Sequence, residues 1–247
     1  MSKIIVLDPG HGGSDPGAVN GSRFESHDNL RIGMAIRELL RSQGYDVRMT
    51  RETDVFVSLD ERANMALRAN ADLLVSLHRD SFPTTTPSGV TMFYRWQNSA
   101  EIASTLLQSI PLRLRAGNRA EPLRQGAWRV LQHSRIPGVF AELGFISNAN
   151  DNRLFDEHFD EYTQSLARGI VQALGDQWRD TADETPPDDE TLDGGAIPGN
   201  MTPAWRVRGG TYRNQESAER VRQAFIRALA EEGIDDRPFL EQIMLPK

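Results

Sequence analysis

The chain has no cysteine, so disulfides are excluded and any metal site must be built from nitrogen and oxygen donors. Lysine is nearly absent: only Lys3 and Lys247 occur, and arginine supplies the other basic residues. No apolar run approaches the roughly 20 residues that cross a bilayer, so no membrane span is expected. The N-terminal stretch meets Asp8 too soon to form a secretory apolar region. Synthesis in the cytoplasm, with action after release, is the localisation expected. Basic residues are missing altogether from 180–203, which hold Asp180, Asp183, Glu184, Asp188, Asp189, Glu190 and Asp193. That segment accounts for the formal charge of −7 and leaves the flanking parts near neutral. A near-neutral body disfavours nucleic acid as the main partner.

With 247 residues, 38% hydrophobic and 26% charged, the chain is long enough for one good core and a small second domain. Pro186-Pro187, Gly194-Gly195 and Pro198-Gly199 mark the acidic stretch as a linker. The expected organisation is a catalytic domain over 1–179, a linker over 180–203 and a small α+β domain over 204–247.

Before the linker, strand and helix signals alternate. Ile4–Leu7 is a continuous apolar run, as for a strand covered on both faces. Leu30, Met34, Ile36, Leu39 and Leu40 repeat at helical spacing over 28–43, and Gly44 ends that helix. A strand follows at 45–49. Ser58-Leu59-Asp60-Glu61 reads as a capping box for a helix through Ala69. Further strands are expected at 73–77, 90–94, 128–131 and 139–142, and helices at 100–110 and 159–178. Such alternation predicts an α/β fold, a mostly parallel sheet with helices on both faces.

Four segments carry the chemistry: Asp8-Pro9-Gly10-His11-Gly12-Gly13, Glu25, Ser76-Leu77-His78 and Ala141-Glu142-Leu143-Gly144-Phe145. His11 and His78 each follow an apolar strand, and the carboxyl ends of strands face the crevice where such folds place their reactions. The Gly-Lys-Ser/Thr of a phosphate-binding loop is missing around His11. Two imidazoles and a carboxylate give zinc three ligands and an open fourth position. His27 and Asp28 rival Glu25 as the acidic-side donor. Glu142, ending a buried strand, either pairs with an arginine such as Arg119 or Arg124 or manages a proton. His133 and His158 lie in polar stretches and read as surface residues.

Residues 1–178 resemble the type 3 family of zinc-dependent N-acetylmuramoyl-L-alanine amidases. The likeness is carried by Leu7 to Gly13, Asp15-Pro16-Gly17-Ala18, Glu25, Thr50-Arg51, Asp54, Leu59, Arg62, Ala69 to Asp72, Ser76-Leu77-His78 and Glu142 to Asn148. It implies a twisted, mostly parallel six-stranded sheet. It also implies His11, Glu25 and His78 as zinc ligands, Glu142 as catalytic acid, and peptidoglycan as substrate. Where family members commonly have asparagine, this chain has Asp80; Asp80 and Arg119 are candidate substrate contacts, and Arg79 is expected to narrow or charge the groove.

The setting expected is a phage or prophage endolysin that lyses the host. A zinc carboxypeptidase on stem peptides and a non-catalytic wall-binding protein are the alternatives. Residues 204–247 read as a β-α-β unit faintly similar to half of a sporulation-related wall-binding repeat, and are expected to bind the wall or to self-associate.

Overall fold

The structure, a computed structural model, describes residues 2–180; the linker after Asp180 and the 204–247 unit lie outside the described residues. In chain order the elements are β1 (Ile4–Pro9), β2 (Val19–Asn20), β3 (Arg23–Phe24), α1 (Glu25–Ser42), β4 (Asp46–Met49), α2 (Leu59–Arg68), β5 (Leu73–Asp80) and β6 (Thr91–Tyr94). Then come α3 (Ala100–Ser109), α4 (Leu112–Arg115), β7 (Leu123–Gln125), α5 (Arg129–Ser134), β8 (Gly138–Phe145), α6 (Ala149–Glu157) and α7 (Phe159–Ala173). Six strands form one sheet in the order β4-β1-β5-β8-β6-β7, while β2 and β3 make a separate ribbon. Within the six-stranded sheet all neighbours are parallel except β6 and β8, and the β2–β3 ribbon is antiparallel.

Both faces of the sheet are covered, which is why β1, β5 and β8 are buried almost throughout and open with apolar runs. Ile5, Leu7, Val75, Leu77, Val139 and Ala141 belong to the larger core with residues of α1, α3 and α7. Val6, Leu74 and Phe140 belong to the smaller one, with Ala66 of α2 and Val130 and Leu131 of α5. The alternation of side chains along a strand decides which core each residue joins.

Because β6 runs against β8, it starts at the edge where β5 ends. The connection from 81 to 90 therefore stays at the carboxyl edge of β5 and needs no crossover. β7, parallel to β6, also starts there, so residues 116–122 return to the same edge. The two connections touch: Ser88 N donates to Asn118 Oδ1 at 3.1 Å, and Asn118 Nδ2 donates to Thr86 O at 2.9 Å.

Several local expectations are corrected. The segment 128–131 is the entry to α5, and the strand lies earlier at β7. A three-residue Leu-Arg-Gln edge strand is too short and polar to show alternation, whereas Trp128, Val130 and Leu131 are apolar because they pack on the sheet around Phe140. Helix α6 was not expected; its signal is Asn148, whose side chain accepts from Asn150 N and Asp151 N. Helix α7 stops at Ala173, before Gly175 with its positive φ of 79°. Ser58 caps α2 by accepting from Glu61 N at 3.3 Å, but the Glu61 carboxylate pairs with Arg68 and so does not complete the box.

Candidate active site

His11, Glu25 and His78 converge, their donor atoms all within 4.8 Å of one another. They come from the turn after β1, the first turn of α1 and the end of β5. Helix α1 begins at Glu25 instead of 28, which fixes that carboxylate on a rigid element. Its Oε1 lies 3.2 Å from His11 Nε2 and 2.8 Å from His78 Nδ1. It also accepts from Arg79 N at 3.2 Å and from Asn29 Nδ2 at 3.2 Å. His11 and His78 meet edge to face, with ring centroids 4.9 Å apart.

Each ring is oriented by a neighbour. His11 Nδ1 lies 2.8 Å from Asp15 Oδ2; a proton donated there leaves Nε2 with its lone pair free for a cation. His78 stacks on Phe140 at 4.1 Å, and Phe140 stacks on Trp128 at 4.2 Å. Space is tight: a Cβ on Gly10 would fall 2.0 Å from His78 Cε1, and one on Gly17 would fall 2.6 Å from Glu25 Oε2.

His11 itself takes a left-handed backbone, φ 61°, held by buried arginines. Arg51 donates to the carbonyls of Pro9, Gly10 and Ser26, and Arg62 to those of Pro9 and His11. Arg62 Nη1 also pairs with Asp8 Oδ1 at 2.8 Å, both side chains being almost wholly buried. Thr50 and Ser76 donate to the same carboxylate at 2.6 Å each. Burial alone raises the Asp8 pKa, but Arg62 and the two hydroxyls outweigh it and hold the carboxyl below its ordinary value.

Glu142 stands beside the donors. The register of β5 and β8 places it directly across from His78 on the same face. It is buried, and its Oε2 finds no hydrogen-bond partner among the described residues. Burial first, and then the charge of Glu25, push its pKa up to about 8 against the pull of Arg119 and Arg79. Glu25 is the reverse case. Burial pushes it up, but hydrogen bonds from His11 and His78 hold it far below the usual carboxylate range. Two carboxyls with opposite displacements in one site suit one anionic ligand and one proton carrier.

These residues fit a zinc ion: two imidazoles and an anionic carboxylate form its ordinary nitrogen–oxygen set, with a further carboxyl adjacent and outside the set. The cluster is the single such group among the described residues. His27 is exposed and faces Asp54 at 3.7 Å, while Asp28 is taken by Arg23 and Arg79 at 2.7 Å each. His133 and His158 lie away from the site, paired with Asp60 and Glu161.

Arg79 does not enter the groove. The strand register shifts between His78 and Asp80, and the Arg79 guanidinium turns inward to Asp28, to Asn152 and over the Phe155 ring. Asp80 pairs with Arg119, which lies over the Phe145 ring. Neither reaches His78 Nδ1, which Glu25 occupies. Asp15, Arg51, Arg62 and Phe140 support the site; the first three lie in stretches that carry the family likeness, which gave them no specific role, and Phe140 has no sequence signal.

The N-acetylmuramoyl-L-alanine amidase family profile matches residues 5–176. Among curated relatives, the "Probable cell wall amidase LytH" of Staphylococcus epidermidis is 34% identical over 175 residues, covering 70% of this chain and 57% of that protein. The chain thus spans little more than half the length of the curated relatives it matches. Among solved structures, the catalytic domain of CwlV, an N-acetylmuramoyl-L-alanine amidase from Bacillus (Paenibacillus) polymyxa var. colistinus, is 29% identical with a TM-score of 0.65. It is matched over 98% of its length by 70% of this chain. The CwlD amidase of Clostridioides difficile, solved in complex with the GerS lipoprotein, is 30% identical with a TM-score of 0.65, covering 70% of this chain and 99% of that one. With the profile spanning well over half of its residues, this chain belongs to the N-acetylmuramoyl-L-alanine amidase family.

Proposed function

We propose that this chain hydrolyses peptidoglycan at the amide joining the lactyl group of N-acetylmuramic acid to L-alanine, using a zinc ion held by His11, Glu25 and His78. The observation that carries the reading is the convergence of those three donors beside a buried carboxyl, Glu142, one oxygen of which has no partner among the described residues. Zinc in such a donor set supplies a Lewis acid and a water of lowered pKa.

The protein's own groups do the rest. Asp15 and Phe140 fix the two rings, so the donors need little rearrangement on binding. Glu142 takes a proton from the attacking water and passes one to the leaving nitrogen, without which an amide is a poor leaving group. Burial raises the proton affinity of Glu142 above that of an ordinary carboxyl, which suits a group that must both accept a proton and return one.

Mass spectrometry of products from purified peptidoglycan tests the reading. Release of intact stem peptides with a free L-alanine amine, abolished by a chelator and restored by zinc, is the expected result. Release of single amino acids would mean a carboxypeptidase, and no release with zinc present would overturn the proposal. The endolysin setting goes with this proposal: a holin gene beside this one supports it, and a place among cell-division genes overturns it.

A further inference from the structure

The donors occupy the middle of the sheet's carboxyl edge, and the two flanks of that edge differ in chemistry. On the β4 side, the 51–57 segment packs against the His11 turn. Asp54 Oδ1 accepts from Gly13 N at 2.9 Å, and a Cβ on Gly13 would lie 2.6 Å from Phe56 N. This flank shows Val55 and Phe56 to solvent, 47% and 56% exposed. On the β8 side, a cavity of about 440 Å³ lies between the 81–90 and 116–122 connections, lined among others by Phe82, Pro87, Arg119, Arg124 and Phe145. That volume lies within the roughly 300–1,000 Å³ of small-molecule sites.

Arg119 is the inner cation of this cavity. Asp80 takes its Nη2, but its Nε is buried without a partner among the described residues. Arg124, nearer the mouth, sits loosely against Glu121 at 3.8 Å, and both are solvent-exposed, so that pair is weak. The Arg119 side chain lines the cavity and is 27% exposed, so the N–H groups that Asp80 leaves free can meet an acceptor oxygen, best of all a carboxylate.

We propose that peptidoglycan lies across this edge in one direction, its stem peptide in the Arg119 cavity and its glycan over Val55 and Phe56. The inference rests on the amidase reading. In that reaction the water oxygen joins the lactyl carbonyl carbon, the C–N bond breaks, and the nitrogen leaves with the peptide carrying a proton that came from the water. The new lactyl acid gives its own proton to solvent. The group that delivers a proton to the nitrogen must stand on the peptide's side. Glu142 does: β8 flanks β5 on the side away from β1 and His11, and the cavity lies beyond it. Chemistry agrees in part: the stem peptide offers carboxylates to Arg119 and Arg124, though Asp80 and Glu121 stand beside these cations, and the sugar is neutral with faces that pack on aromatic rings.

A photolabelling experiment reads the direction without relying on turnover. The full chain, stripped of metal, is irradiated with a stem peptide bearing a diazirine on its acidic second residue, and the labelled residues are mapped by mass spectrometry. Label is expected within 82–87 and 118–124, reduced about tenfold in Arg119→Gln by loss of one charge-assisted hydrogen bond. A second variant, Arg124→Gln, is expected to give a smaller loss. Label within 51–59, label indifferent to both substitutions, or no label overturns the inference. The amidase reading fails separately, if zinc-loaded wild type releases no stem peptide from purified peptidoglycan.

Discussion

Asp15 Oδ2 sits 2.8 Å from His11 Nδ1, on the opposite side of the ring from the nitrogen that faces Glu25. This one contact fixes both the tautomer and the rotation of the imidazole. Asp15→Ala should weaken zinc binding by about 10–100-fold while leaving the fold intact. Competition with a fluorescent chelator measures this, and an unchanged affinity would show that Asp15 only closes the turn.

Glu142→Gln separates metal binding from catalysis. The variant should bind zinc at wild-type stoichiometry and lose roughly a hundredfold to ten-thousandfold in turnover. Elemental analysis beside a product assay decides it: loss of the metal would make Glu142 a ligand.

The same residue sets a pH dependence in the metal-free protein. Its folded pKa, about 8, lies above the ordinary 4.5, so the folded state holds a proton that the unfolded chain has released. The stabilising contribution is therefore complete below 4.5 and is lost as pH rises through 8. Thermal melts of chelated wild type should fall across that window, and those of Glu142→Gln should fall less. Parallel curves for the two would contradict the assigned burial.

Asp8 and Arg62 are paired at 2.8 Å with almost no exposure. Removing one partner leaves a buried charge, so Asp8→Ala should cost about 3–5 kcal/mol in denaturant unfolding. The folded pKa of Asp8 is below 3.8, so its contribution is present above 3.8 and disappears as pH falls through the lower folded value. Asp8→Asn should flatten that acid limb; an unchanged limb would mean other carboxylates govern it.

Gly10→Ala tests the cradle around His78. Its Cβ would meet ring atoms at 2.0–2.6 Å, so the ring must swing and zinc affinity should collapse. Gly21→Ala is the control: nothing lies within 4 Å there, and only a positive φ resists, at about 1 kcal/mol. If both variants bind zinc equally, the close packing of Gly10 on His78 is not what positions the ring.

Much of this was legible in the sequence because strands buried on two faces cannot hide. The runs at Ile4, Leu73 and Val139 stood out, and polar residues at or just beyond their ends were candidates for the edge: His78 and Glu142 directly, and His11 in the glycine turn after Asp8. Glu25 needed the family likeness, since an acid at a helix start is unremarkable by itself. What the supports do was illegible for a different reason. Arg51 and Arg62 reach backbone carbonyls of residues 25 to 53 positions away, and Phe140 looks like any core aromatic. Arg79 misled because a bulky cation next to a ligand suggests the groove, and the register shift that turns it inward has no sequence signature. Trp128 to Leu131 misled because a short apolar cluster packs equally well as the start of a helix.

The reversal of β6 has a consequence for how such an enzyme can diversify. By beginning that strand where β5 ends, the chain places the 81–90 and 116–122 connections on the same rim as the reactive groups. Insertions in either would reshape the rim while leaving the strand alignment and the His11, Glu25 and His78 cluster alone, so what the edge recognises can drift without disturbing that cluster.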